Sequence, residues 1–136
     1  MKQDPQPNAR KNRGARKLAL DVLFEHEVGG AEIEAVLQRH SRNPVFPAAE
    51  TLVRGVNEHV AEIDSLIAGN SVDWPLSRMP PVDRTLLRLA LFEILHGGRV
   101  NAAIAINEAV ELAKIYSTED SSRFINGILG AVVKKL

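Results

Sequence analysis

A chain of 136 residues, 45% hydrophobic and 25% charged, is the size of one ordinary domain and holds enough apolar material for a real core. It has no cysteine, which excludes disulfides and thiolate metal sites. Arg88 and Glu93 interrupt its most apolar segment, and its polar, basic start lacks an apolar signal region, so a cytoplasmic protein that does not enter a membrane is expected. The formal net charge of zero conceals an asymmetry. Residues 1–17 carry six bases against one acid, a net of +5, and the remainder carries eleven bases against sixteen acids, a net of −5. A basic arm on an acidic body either has an anionic partner or serves as a solubilising tail.

Residues 1–12 hold Pro5 and Pro7 among polar neighbours and are expected to be a disordered arm. A helix over 13–27 follows, stopped by Gly29 and Gly30, with Ala15, Leu18, Ala19 and Val22 as its core face. Arg13, Arg16 and Lys17 gather on another face, and Leu20 and Phe24 continue that line. Those two either pack under a neighbouring helix or form a partner-binding strip. A short helix over 31–40 turns Ile33, Val36 and Leu37 inward, and Pro44 closes the break after it.

A long amphipathic helix runs to about residue 68, with Leu52, Val53, Val56, Val60, Ile63, Leu66 and Ile67 as its stripe. Trp74-Pro75-Leu76 then opens the second half, with one short helical turn before Pro80-Pro81. In the helix over 82–96, apolar residues cover most of the circumference, which predicts the central element. Pro81 suits its first turn, Asp83 complements its dipole, and Arg84 and Arg88 share its polar side.

A helical hairpin ends the chain. Ile106, Ala109, Val110 and Ala113 line one face of its first helix, and Ile125, Ile128, Leu129, Val132 and Leu136 line one face of its second. Between them, residues 117–121 offer side-chain oxygens to the N–H groups that open the last helix. No stretch alternates as a strand would, so the predicted fold is all-α: two packed three-helix bundles with a flexible basic N-terminal arm.

Catalysis finds little support. His26, His40, His59 and His96 lie far apart in the chain without ligand spacing, and there is no phosphate-cradling glycine loop or nucleophile elbow. No catalytic residue, metal site or cofactor is expected. Nucleic-acid binding is better supported: Arg10, Lys11, Arg13, Arg16 and Lys17 are suited to phosphates, and single-stranded RNA also needs a stacking surface. Phe124 lies roughly 100° from the core direction of the last helix, where it either seals the core or stacks on a base. Arg123 is its neighbour and Lys114 is on the preceding helix.

Several blocks resemble the NusB family of bacterial transcription antitermination factors: ARKLALDVLFE at 15–25, RGVNEH at 54–59, WPLSRMPPVDRTLLRLALFEIL at 74–95, then AINEAVELAK and EDSSRFINGIL. The resemblance implies two three-helix bundles in one RNA-binding domain, with halves at 13–70 and 71–136. It implies a factor that binds the boxA element of nascent rRNA transcripts, single-stranded, with the ribosomal protein NusE, in the antitermination complex of RNA polymerase. By position, Arg10, Lys11, Arg13, Arg16 and Lys17 would contact RNA, with Asp120, Arg123 and Phe124 bordering that surface. Leu20, Phe24 and Asp83 would serve NusE docking. Asn101-Ala102-Ala103 and Gly130 depart from the family pattern. The alternatives are an accessory module in rRNA processing or modification and a homodimeric interaction scaffold.

Overall fold

The computed structural model describes the backbone of residues 5–71, 73–98 and 101–136, and the side chains from residue 12 onward within those ranges. Among the described residues there are seven α-helices, one 3-10 turn and no strand. Helix α1 spans Pro5–Gly29, α2 Ile33–Arg39, α3 Phe46–Glu58, α4 Val60–Asn70, α5 Pro81–His96, α6 Ala102–Tyr116 and α7 Glu119–Lys134, with the 3-10 turn at Leu76–Arg78.

Helix α1 begins eight residues before the expected start at residue 13, so the disordered arm expected over 1–12 is corrected from residue 5 onward; residues 1–4 lie outside the described residues. The physical reason is that Pro5 and Pro7 fall in the first turn, where N–H groups have no intrahelical acceptor and proline costs nothing. The expected long third helix is in fact two. His59, at φ −105° and ψ 15°, leaves the helical path and serves as the last cap of α3 and the first of α4. The break frees α4 to reach both α5 and α7.

Helix α5 is central, as its all-round apolar pattern predicts: α1, α3, α4, α6 and α7 all pack on it. Leu86, Leu87, Leu89, Ala90 and Leu91 are buried. Arg84 and Arg88 close its polar side, where Arg84 pairs with Glu27 of α1 and Arg88 grips Asp64 of α4 through two bonds of 2.8 and 2.9 Å. The stripe residues Ala15, Leu18, Ala19, Val22, Val53, Val56, Ile63 and Ile67 of the first half are all buried, as are Ala109, Ala113, Ile125, Ile128, Leu129 and Val132 of the second. Leu136 departs from its predicted stripe: α7 ends at Lys134, and Leu136 is exposed.

Two glycines divide sharply. A Cβ on Gly55 would fall 2.1 Å from Cζ of Phe92, so this glycine lets the phenyl ring of α5 lie directly on the backbone of α3. A Cβ on Gly130 would meet nothing within 4 Å, so close packing is not what this position requires.

Candidate nucleic-acid interface

The turn between α6 and α7 is held from below. The side-chain hydroxyls of Ser117 and Ser121 donate to the two carboxylate oxygens of Asp83, each at 2.7 Å. Thr118 caps α7, its Oγ1 accepting from the Ser121 N–H at 2.9 Å. Asp83 is wholly buried, which corrects its expected place in a partner-docking strip. A carboxylate in the first turn of α5 suits the helix dipole, and here it also fixes where α7 starts. That anchor presents Asp120, exposed, and Arg123, whose guanidinium lies 3.8 Å from both Glu119 and Asp120.

Helix α1 contributes from the other flank of α6. Lys17 sets its ammonium 4.7 Å from the ring centroid of Tyr116 and pairs with Asp21 at 2.6 Å. Arg13, more than half exposed, donates from Nε to both carboxylate oxygens of Glu108 on α6, at 3.0 and 3.2 Å. That hydrogen bond, and then the charge of Glu108, hold its guanidinium more firmly protonated than usual.

Arg16 turns inward. It is only 4% exposed, donates from Nε to both oxygens of Glu93 at 3.0 Å, and lies 3.6 Å from Glu108. Its expected RNA contact is therefore corrected, because a buried guanidinium is retained by the carboxylates that neutralise it. Burial pushes the Glu93 carboxyl above its ordinary value, with the Arg16 charge pulling the other way.

Leu20 is corrected in the same sense. It is 3% exposed and part of the core, whereas Phe24 stands 36% exposed, with Val28 one turn further on and also exposed. The helix backbone carries Arg10 and Lys11, but their side chains lie outside the described residues.

Phe124 seals and borders at once. Half-buried against the core, its ring lies 4.8 Å from that of Trp74 at a tilt of 57°. Arg123 forms the ridge between two hollows. One, between α6 and α7, is lined by Ile106, Asn107, Lys114, Glu119 and Asn126; the other, beside Phe124, is lined by Asn70, Asp73, Trp74 and Gly127. Lys114 is exposed at the rim of the first, with Glu111 at 3.3 Å. The α1 cations Arg13 and Lys17 thus meet α6 at Glu108 and Tyr116, while Lys114 of α6 shares a hollow with Glu119 and Arg123 of α7. Asn101 opens α6, accepting from the Ala103 N–H at 2.7 Å, which gives this departure from the family pattern a capping role.

Tyr116 and Trp74 join the site beyond the residues expected from the sequence. Tyr116 ends α6 next to exposed Ile115, and an aromatic at a helix end near a lysine is a weak signal of its own. The histidines also differ from expectation. Far apart in the chain, His59 and His96 stack with ring centroids 3.8 Å apart.

These features define a class: an all-α domain with cations and aromatic rings arrayed around one helical hairpin. The chain belongs to the NusB family, whose model matches residues 13–134. It is 46% identical to the transcription antitermination protein NusB of Nocardioides sp. over 88% of this chain and 91% of that protein. To the protein of that name from Symbiobacterium thermophilum it is 42% identical, over 90% and 88%. Among solved structures it resembles T. maritima NusB at a TM-score of 0.83, with 33% identity over 99% of this chain and 94% of that one. It also resembles a chain in a structure of antitermination factors NusB and NusE in complex with dsRNA, at a TM-score of 0.81 and 27% identity over 93% and 98%. Among the described residues no helix is long and apolar enough to cross a membrane.

Proposed function

We propose that this chain is a transcription antitermination factor that binds a boxA-type element of nascent rRNA transcripts together with the ribosomal protein NusE. It acts by binding rather than by catalysis, in the cytoplasm, as one domain with halves at 13–70 and 71–136. Family membership supports the role, and the named components of the similar NusB–NusE complex support the partners. For the site itself, the strongest support is the contact of Lys17 with Tyr116, since it sets an aromatic face beside the cations of α1. Arg13, Lys17, Lys114 and Arg123, with Arg10 and Lys11 from the start of α1, supply phosphate contacts. Asp120 and Phe124 border that surface. Phe24 is the residue of the expected NusE strip that remains open to a partner.

The test is a titration of labelled boxA-like and scrambled single-stranded RNA at several salt concentrations, with and without NusE. We expect a preference for boxA that NusE strengthens. Replacing Arg13 and Lys17 together by alanine should shrink the salt slope by about 1.4, from two lost phosphate contacts on a single strand. Arg42→Ala, at an exposed turn after α2, should leave the slope unchanged. Equal affinity for both RNAs, with and without NusE, would overturn the reading.

A further inference from the structure

We propose that His59, Glu62 and His96 form a binding site for a divalent transition metal of the zinc class. One ligand atom from each residue lies within 4.8 Å of the others. His96 Nε2 is 2.7 Å from Glu62 Oε1, and His59 Nδ1 is 3.9 Å from that same oxygen. Two imidazoles and one carboxylate match the donor set of three-ligand zinc sites, which leave a fourth position to water.

Metal–ligand bonds of roughly 2.0–2.2 Å put tetrahedral ligand atoms about 3.3 Å apart. From 4.8 Å the trio needs to close by about 1.5 Å at its widest separation, and the His96–Glu62 pair needs to open from 2.7 Å. The stacked imidazoles, 16° from parallel, also need to rotate so that their in-plane lone pairs meet at one point. Each side chain has the freedom to do so, since His59 and His96 are about one-third exposed and Glu62 about one-half.

The backbone frames the site. His59 occupies the break between α3 and α4, Glu62 is in the first turn of α4, and His96 ends α5. Two helix C-termini, of α3 and α5, thus meet one N-terminus, of α4, which leaves a net partial negative charge for a cation. Phe92, 6.0 Å from each imidazole, backs the pair and limits how far the rings can retreat. An ion there would tie the α3–α4 junction to the end of the central helix. Imidazole nitrogen also favours zinc over magnesium or calcium, whose sites are built from oxygen.

The site is tested on untagged full-length protein by calorimetric titration with Zn²⁺, and with Co²⁺ as a visible-absorption probe of coordination. The expected result is one equivalent bound per chain, with the Co²⁺ bands of a four- or five-coordinate site. His59→Ala and His96→Ala should each weaken binding on the order of a hundredfold, the upper end of what even indirect support for a metal provides. Glu62→Gln, on a half-exposed side chain, should weaken it markedly without disturbing the fold, and serves should either histidine variant fail to fold. His40→Ala should bind as the parent does. Absence of saturable one-to-one binding, retention of binding in Glu62→Gln and His96→Ala, or an equal loss in His40→Ala would each overturn the proposal.

Discussion

Arg16 shares the interior with Glu93 and Glu108, all three at most 5% exposed. Removing its guanidinium strands the buried Glu93 carboxylate and leaves Glu108 to Arg13 alone, and Arg16→Ala should therefore cost about 3–5 kcal/mol in urea unfolding. Lysine cannot restore the paired bonds, because it lacks the planar fork. The Glu93 carboxyl also sets a pH dependence. Its unfolded form releases the proton near 4.5 while the native form, raised by burial, still holds it. The native state then binds more protons, so stability from this group falls as pH rises through that window, by at most about 1.4 kcal/mol per pH unit. Glu93→Gln should flatten this part of the profile in urea melts taken just above pH 4.5. A profile that instead falls as steeply in the variant would assign the slope to other groups. None of this was legible in the sequence of α1. Helical counting puts Arg13, Arg16 and Lys17 together, and the acid that takes Arg16 inside lies 77 residues away.

At the scale of elements, Gly55 and Phe92 make one joint between α3 and α5. Gly55→Ala drives a methyl group into the ring of Phe92, which is itself buried. Overpacking of this kind should cost about 1–3 kcal/mol, and the double variant Gly55→Ala/Phe92→Leu should recover part of it. Thermal unfolding of the single and double variants checks this; additive losses would show that the two do not meet. Element identity was largely readable, because apolar residues at helical spacing mark α1, α5, α6 and α7. The break at His59 was not, since the stripe from Leu52 through Val56 to Ile63 and Ile67 passes it without a proline to mark the stop. Nor could the sequence separate Asp83 the helix-dipole partner from Asp83 the anchor of a turn more than thirty residues on. Only the packed hairpin brings Ser117 and Ser121 to it.

Across the whole molecule, the inward face of α1 is spent on α3 and α5, and what remains outside divides by chemistry. Cations lie toward α6, and the apolar pair Phe24 and Val28 lies nearer the helix end. If that pair docks NusE, Phe24→Ala should weaken the complex about tenfold while changing unfolding free energy by less than about 1 kcal/mol. Fluorescence binding and calorimetry on the same sample check both halves. A core-sized loss of about 3 kcal/mol or more would show Phe24 to be packing instead.

Arg13 has a consequence at this largest scale. It is already held by Glu108, itself 2% exposed and within 3.6 Å of Arg16. Both bonds to Glu108 come from Nε, so the terminal nitrogens of this half-exposed guanidinium can take an anion while Nε stays on the carboxylate. The contact adds a second partner to a side chain whose rotamer Glu108 already fixes, so less conformational freedom is lost when the anion binds. Such a residue works as a preset arm: Glu108 holds its geometry before an anion arrives and keeps it after the anion leaves.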